Sequence, residues 1–226
     1  KRLEKGMANL IHHNTASFLR FVERFIAGED VHKVDDNKTY AIMLYYALFQ
    51  DKLSKTGYNS INEALELIHL PKYAYFKQEI AEIVTFLLAR LDIKTTPIGA
   101  DIIPGLELYG CYTREEVFTL VGRQIAEVKM QGTASGAFNL PEHNAVLLFV
   151  TLNKSEKDFS PSTQYNDYLI NDEYFHWQSK NTDSHYNSGG RKYIEQPKTG
   201  IKIILFVREE KKDGFGNTSP FHCFGL

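Results

Sequence analysis

The chain of 226 residues carries a formal net charge of −2, and it contains 13 tyrosines, 15 phenylalanines, one tryptophan and two cysteines. This length suits two small domains or one large one, the balanced charge argues against a large basic surface for non-specific nucleic-acid binding, and no apolar run approaches the roughly 18 residues of a membrane span. The two cysteines lack the spacing of a zinc site, so we expect no metal. Since the sequence carries no long apolar run, we expect a cytoplasmic protein with no membrane partner. We expect no cofactor either.

Residues 11–93 carry apolar side chains at helical spacing, interrupted by glycine, proline and polar clusters. The pattern predicts helices over residues 18–26, 39–48, 64–68 and 76–91. Gly28 is placed to end the first of them, and Ser60-x-x-Glu63 has the spacing of a capping box before the third. The first part of the chain is therefore predicted to be a bundle of about four helices that reaches roughly residue 95.

The segment 93–110 is rich in proline and glycine, so we place a boundary between a helical domain, residues 1–108, and a second domain, residues 109–226. In the second domain Thr113-x-x-Glu116 indicates the start of a helix. The apolar runs 145–152 and 201–207 indicate strands that are buried on both faces. The predicted fold class is α+β, in which a helical bundle precedes a β-barrel-like mixed domain.

Between these two strands lies a long polar stretch, residues 153–200, in which aromatic rings alternate with asparagine, glutamine, serine and histidine. Such rings can stack on a planar base while amides and hydroxyls bind its edge; alternatively, the rings pack a β-core and the polar residues make turns. The polar residues on both sides of Trp177 favour the binding interpretation. The candidate base-binding residues are Trp177, His176, Gln178, Ser179, Tyr165, Asn166 and Tyr168. The candidate phosphate-binding residues are Lys154, Ser155, Lys157, Arg191 and Lys192.

Catalytic signals in this sequence are weak. It contains no GxSxG, HExxH or Walker-type glycine loop. The adjacent His12 and His13 lack the spacing with which two histidines share a metal on one helix face. Asp172, Glu173 and Lys180 could form a metal-dependent nuclease site, but acidic and basic residues this close in a loop often occur by chance. We therefore expect no catalytic residue in this chain.

Three blocks of the second half, LLFVTLNKSEKDFSPSTQYNDYL, FHWQS and GIKIILFVRE, resemble the uncharacterised domain at the C-terminus of bacterial superfamily 2 helicase proteins of the restriction and phage-defence type. The resemblance covers residues 112–226 closely. It implies a longer parent protein, in which a helicase motor often follows a phospholipase-D-type nuclease domain. It also implies DNA handling in the bacterial cytoplasm, with DNA and the helicase or nuclease domains of the parent as partners.

The chain itself lacks helicase and nuclease motifs, so three hypotheses remain for its function. The first is a non-catalytic DNA-recognition module that senses a modified or flipped base in an aromatic pocket around Trp177, by analogy with PUA and SRA barrels. The second is a protein-interaction or autoinhibitory module that docks on the helicase motor through an exposed apolar patch of the helical half. The third is a nuclease. For the first hypothesis, about three to five phosphate contacts predict a log–log salt slope near −3 to −4.

Overall fold

The computed structural model describes residues 2–92, 94–99, 102–122, 136–154 and 166–226, and the chain divides into two compact units, Lys1–Gln131 and Gly132–Leu226. Helices at the N-terminus followed by a unit with a sheet confirm the α+β fold class. Residues 109–122 belong to the first unit. The two units thus divide later in the chain than the boundary after residue 108 that composition suggests. That domain boundary stays a prediction.

The first unit is built mainly from helices, which are α1 (Arg2–Met7), α2 (Ala16–Ile26), α3 (Lys38–Phe49), α4 (Leu53–Thr56), α5 (Ile61–Glu66), α6 (Ala74–Ala89) and α7 (Arg114–Leu120). Helices α2, α3, α5 and α6 confirm the four that apolar spacing predicts. The short strands β1 (Thr96–Pro97) and β2 (Glu107–Leu108) form an antiparallel pair, and β3 (Cys111–Tyr112) precedes α7. None of the described helices is both long and apolar enough to cross a membrane.

Local sequence accounts for the limits of these helices. Gly28 follows α2 with a φ of +97°, in the left-handed region that glycine adopts without strain. At the start of α5 the Glu63 amide donates a hydrogen bond to the Ser60 hydroxyl, as the capping-box spacing predicts. The buried face of α2 consists of Phe18, Leu19, Phe21, Val22, Phe25 and Ile26. Together with the buried residues of α3, this face forms much of the core of the first unit.

The second unit contains an open mixed sheet. Its strands β4 (Ala137–Leu140), β5 (Ala145–Asn153), β8 (Lys202–Glu210) and β9 (Phe221–Gly225) lie in the order β9-β8-β5-β4. Strand β5 runs parallel to β8, which requires a crossover connection; the crossover includes the helices α8 (Ser188–Ile194) and α9 (Gln196–Thr199). Strands β6 (Tyr168–Leu169) and β7 (Phe175–His176) form a separate antiparallel hairpin.

Two expectations about this sheet need correction. Among the described strands β4 and β9 do not pair, so the sheet of this unit is open rather than a closed barrel. Strand β5 is buried along nearly its whole length, as predicted. Strand β8 is less buried than predicted. Ile203 and Leu205 face a layer that includes the partly buried rings of Trp177 and Tyr193, and both residues are only half-buried.

The two faces of the sheet are covered differently. On one face Phe149 stacks on Phe206, with ring centroids 5.0 Å apart, and meets Phe221 edge to face. On the other face a smaller cluster contains Val146 and Leu148, because side chains alternate between the faces along a strand. This second, less completely covered face carries the segment that follows the β6–β7 hairpin.

Candidate functional site

Trp177, the predicted centre of the base-binding site, lies half-buried in the second unit. Its ring packs against the sheet cluster that contains Val146 and Leu148. It also meets the ring of Tyr193 edge to face, with ring centroids 4.8 Å apart. A ring in this position stabilises the unit by removing apolar surface from water. Because the ring is not fully enclosed, its part in base stacking stays a prediction.

Tyr168 and His176 form a stacked ring pair on the β6–β7 hairpin. The two residues are partners in the strand register, their ring centroids are 4.7 Å apart and their planes differ by 12°. His176 Nδ1 donates a hydrogen bond to the Asn166 carbonyl oxygen at 2.9 Å, which fixes the orientation of the imidazole. The structure thus brings together two predicted base-binding rings, whereas Trp177 packs on the sheet.

The predicted polar contacts to a base are partly engaged in the hairpin itself. The Asn166 N–H donates to Gln178 Oε1 at 2.9 Å, and the Gln178 N–H donates to Asp167 Oδ1 at 2.9 Å. These bonds join the two ends of the hairpin and engage the Gln178 side-chain oxygen, while the bond at Asn166 uses its backbone N–H and not its side chain. Ser179 is half-buried.

Lys154, a predicted phosphate ligand, is buried in an ion pair. Its Nζ lies 2.7 Å from Asp167 Oδ2, and the two side chains are only 8% and 4% exposed. A phosphate contact would require this pair to break and would leave the Asp167 carboxylate buried without its cation, which is strongly unfavourable. The geometry therefore favours a structural role for Lys154.

The remaining candidate phosphate ligands differ in exposure. Arg191 is exposed and donates two hydrogen bonds to Glu195 Oε1 along α8. Lys192 donates to Asn139 Oδ1 at 2.7 Å, and burial lowers the pKa of its ammonium group. The predicted residues Ser155, Lys157 and Tyr165 lie outside the residues that the structure describes.

The acidic residues considered for a nuclease lie in the turn between β6 and β7. Asp172 and Glu173 are exposed, and the Glu173 N–H donates to Asn171 Oδ1, as in a side-chain-stabilised turn. Within the described residues neither belongs to a group of three side chains that could hold a metal ion. Lys180 is exposed as well. The geometry lends no support to a nuclease site here.

A cluster of His12, His13 and Glu116 lies in the first unit. The two histidines occupy the link between a short 3₁₀ turn and α2, and Glu116 lies in the first turn of α7. His12 Nε2 donates a hydrogen bond to Glu116 Oε2 at 3.1 Å, and His13 Nε2 lies 3.2 Å from Glu116 Oε1. The side chain of His13 is fully buried and that of Glu116 is 5% exposed. These three residues are the one group of potential metal ligands within the described part of the chain.

Neighbouring hydrogen bonds hold this cluster in place. The Thr113 N–H donates to Glu116 Oε2 at 2.7 Å, while the Glu116 N–H donates to the Thr113 hydroxyl, which completes the predicted capping box. Asn14, next to the histidines, donates from its amide nitrogen to the Tyr109 carbonyl oxygen and accepts from the Cys111 N–H. The segment that carries the histidines is thus bonded to the segment that carries the glutamate.

Burial and mutual contact set the ionisation of the cluster. Burial lowers the pKa of the His13 imidazole and outweighs the Glu116 carboxylate, which raises it. Burial alone would raise the pKa of the Glu116 carboxyl, but the adjacent His13 and His12 hold it well below its ordinary range. Burial, with a smaller contribution from Glu116, raises the pKa of the Cys111 thiol to about 12. The carboxylate is therefore ionised near neutral pH, and the thiol keeps its proton.

Glu116 and Thr113 also line a cavity of about 420 Å³ in the first unit. Other lining residues include Asn9, Tyr46 and Lys52. The cavity has both apolar and polar walls, which residues of α3 and α7 form in part. It is large enough to hold water.

Sequence reasoning missed this cluster because it tested the two histidines for a shared helix face. They do not lie on a helix, and their third partner is 104 positions away from His12. The capping-box pattern did identify Glu116, but as the cap of a helix. No local spacing in the sequence relates that glutamate to the histidine pair.

The family described as "Domain of unknown function (DUF3427)" matches residues 106–225, which is more than half of the chain. The matched range includes Glu116 of the first unit as well as the sheet and the β6–β7 hairpin of the second. It confirms that the second half of the chain is an uncharacterised domain, and the match carries no helicase assignment. No curated protein and no solved structure matches the chain at a significant level.

Proposed function

The chain belongs to the DUF3427 family, and we propose that its second unit is a non-catalytic DNA-recognition module, which stacks a base on the partly exposed rings of the β6–β7 hairpin. The observation that carries the proposal is the stacked pair of Tyr168 and His176, in which Tyr168 is 44% exposed. A base that stacks on an aromatic face adds about 1–3 kcal/mol of binding free energy through a contact that needs no charge. That mode of binding suits a chain with a net charge of −2.

Strand pairing and a hydrogen bond hold the ring pair in place. Strand pairing between Leu169 and Phe175 and the hydrogen bond from His176 to Asn166 fix both rings on the hairpin. Tyr174 is 63% exposed and Ile170 is 57% exposed in the connecting turn. A preorganised, partly apolar surface loses little conformational entropy when a base stacks on it. The hairpin therefore provides a platform on which a base can stack with a small ordering cost.

Phosphate contacts contribute less than the sequence predicts. Lys154 is committed to Asp167, so one of the about three to five expected contacts is removed. At about −0.9 per contact the expected log–log salt slope then changes to about −2 to −3. Arg191 is the most accessible of the described candidates, because its charge lies on the exposed side of α8.

The resemblance to the C-terminal domain of restriction and phage-defence helicases supports a wider proposal. In such a parent protein the motor would deliver DNA to the module, and the module would sense a modified or flipped base. A module that is delivered by a motor needs only weak affinity for an unmodified duplex. A shallow salt slope agrees with that expectation.

A binding panel tests the proposed function. Fluorescence anisotropy would compare the chain on unmodified, methylated and hydroxymethylated duplexes and on a single strand. We expect weak binding to the unmodified duplex and tighter binding to one preferred form. Tyr168→Ala should weaken binding, and Tyr75→Ala, which removes a ring that is 87% exposed on α6, should leave it unchanged. Equal binding by both variants, or no binding to any DNA, would reject the proposal.

A second candidate function is docking of the helical half on the helicase motor of the parent, as an interaction or autoinhibitory module. Helix α6 favours it, because only Ile80 and Val84 of its 16 residues are buried. Tyr75 is 87% and Phe86 is 56% exposed on the same helix. Exposed apolar patches of this kind often mark protein contacts.

The two proposed functions should be weakened by different variants. Calorimetric titration of the chain with the motor portion of its parent should give a binding signal that Tyr75→Ala and Phe86→Ala weaken. Tyr168→Ala should leave that signal unchanged. If the motor does not bind, or if it binds the α6 variants as well as the natural chain, the docking function is rejected.

A further inference from the structure

We infer that His12, His13 and Glu116 form a binding site for a first-row transition metal ion, with Zn²⁺ as the best fit. One ligand atom from each side chain lies within 4.8 Å of the other two. Two imidazoles and one carboxylate suit Zn²⁺ and its neighbours in the first transition row, whereas Ca²⁺ and Mg²⁺ prefer sites made of oxygen atoms. The inference does not rest on the DNA-recognition proposal.

The distances agree with a shared ion. Bonds of about 2.0–2.1 Å in a tetrahedral zinc site place neighbouring ligand atoms about 3.3 Å apart. His12 Nε2 lies 3.1 Å from Glu116 Oε2, and His13 Nε2 lies 3.2 Å from Glu116 Oε1. Each imidazole thus presents Nε2 to a different oxygen of the same carboxylate, so a common ion would lie between the two rings and both oxygens.

The environment of His13 points to a missing partner. Its side chain is fully buried, and among the described residues neither Nδ1 nor Nε2 has a partner in hydrogen-bond geometry. Glu116 Oε1 is near enough to His13 Nε2 but is out of line with it. Buried polar groups are nearly always hydrogen-bonded. A metal ion on the Nε2 lone pair would satisfy the imidazole without requiring alignment with the carboxylate.

The surrounding residues support the ligands as outer-shell groups do in metal sites. The Thr113 N–H fixes the Glu116 carboxylate from the start of α7. Asn14 bonds to the Tyr109 carbonyl and to the Cys111 N–H, and so holds the histidine segment beside the glutamate segment. The ligands therefore come from two segments whose relative position is set by other bonds.

The site also borders a cavity. Glu116 lies in the wall of the cavity of about 420 Å³. Three protein ligands leave one position of a tetrahedral ion for water. The arrangement is thus that of a metal site with one exchangeable ligand.

His32 supplies a matched control in the same unit. Its side chain is 2% exposed and lies 3.7 Å from Glu66 Oε1, and in the described part of the structure both of its ring nitrogens also lack aligned partners. Unlike His13, it belongs to no group of three potential ligands among the described residues. Replacing His32 therefore removes a buried histidine without removing a metal ligand.

The experiment uses the full chain, purified without a polyhistidine tag and without chelators. Inductively coupled plasma mass spectrometry should find about one transition metal ion per chain. After removal of that ion with a chelator, Zn²⁺ at about 100 times its Kd should raise the Tm by roughly 5–10 °C. Competition with a chromophoric chelator would give the Kd of each variant.

Glu116→Gln is the main test variant, because glutamine also completes a capping box and the fold of α7 should persist. It should weaken Zn²⁺ binding by more than about 100-fold, a larger effect than the 10- to 100-fold loss typical of outer-shell changes. His13→Asn and His12→Asn should have similar effects, and His32→Asn should bind Zn²⁺ like the natural chain.

Two results would overturn the inference. One is a metal-free chain whose Tm does not respond to Zn²⁺, Co²⁺ or Ni²⁺. The other is a Glu116→Gln variant that is folded by circular dichroism and binds Zn²⁺ within about threefold of the natural chain. If His13→Asn fails to fold, Glu116→Gln and His12→Asn still decide the matter.

Discussion

The two units bury a carboxylate in different ways. In the second unit Asp167 meets the ammonium of Lys154 at 2.7 Å and also accepts a bond from the Gln178 N–H. In the first unit Glu116 meets two imidazoles, and one of them, His13, finds no aligned partner within the described part of the chain. A buried charge with a complete set of partners stabilises the fold, whereas a buried imidazole that lacks an aligned partner and lies beside two other potential ligands indicates a place for a ligand. Charged residues therefore have to be judged by their partners before they are assigned to a site.

The largest effect on stability is expected at the ion pair of Lys154 and Asp167. Asp167→Asn keeps the shape of the side chain but removes the carboxylate that lies 2.7 Å from the buried Lys154 ammonium. Removing one partner of a buried pair typically costs about 3–5 kcal/mol, and we expect a loss of that size in the free energy of unfolding. Urea denaturation followed by circular dichroism would measure it.

The control for that change is a surface pair in the same unit. Glu195→Gln breaks the exposed pair of Arg191 and Glu195 on α8 and should change the free energy of unfolding by less than about 1 kcal/mol. If Asp167→Asn lowers the free energy of unfolding as little as this control does, the ion pair with Asp167 does not hold Lys154 in place. A phosphate contact by Lys154 would then again be a reasonable prediction.

A smaller effect should separate the two predicted base-stacking rings. Trp177→Ala removes a ring that covers the sheet, and because the ring is half-buried we expect a loss of about 2–3 kcal/mol, below the about 3–5 kcal/mol of fully buried rings. Tyr168→Ala should cost less than about 1 kcal/mol of stability. Thermal and urea unfolding of both variants would show it, and equal losses would mean that the hairpin pair is also structural.

Apolar periodicity predicted the elements whose burial is regular. Helix α2 and strand β5 follow directly from the spacing of their buried residues. The open sheet did not follow, because the parallel pairing of β5 with β8 depends on a crossover rather than on the residues of either strand. Local pattern therefore identified the elements but not the way in which the strands are ordered.

The candidate sites divide in the same way. Tyr168 and His176 could be singled out from the sequence, since rings among amides are typical of base-binding segments, and their role in binding stays a prediction. The burial of Lys154 could not be foreseen, because it depends on contact with Asp167, which lies 13 positions further along the chain. His13 was unpredictable for a stronger reason, since its partner Glu116 reaches it only through the packing of α7 in the first unit.

The smallest expected effect is on the pH dependence of stability, and it involves His32, which belongs to no group of three potential metal ligands among the described residues. Burial, with Lys33 adding to it and Glu66 opposing it, lowers the pKa of His32. A folded pKa below the unfolded value of about 6.5 means that the unfolded chain binds the proton more readily, so this group destabilises the fold as the pH falls below about 6.5.

His32→Asn should therefore make the loss of stability between pH 7 and pH 5 less steep than in the natural chain. Urea midpoints at the two pH values, measured with a chelator present, would reveal the difference. An unchanged pH dependence would mean that the His32 imidazole titrates normally in the folded state.

The central claim is that DNA binding depends on the hairpin rings more than on charge, and a salt titration of three proteins tests it most directly. For the natural chain we predict a log–log slope of about −2 to −3. Tyr168→Ala should keep that slope while the affinity falls about 5- to 150-fold, which corresponds to 1–3 kcal/mol for one stacked base. Arg191→Gln should make the slope shallower by about 0.9. A slope steeper than about −7, or a Tyr168→Ala variant with undiminished affinity, would contradict the claim.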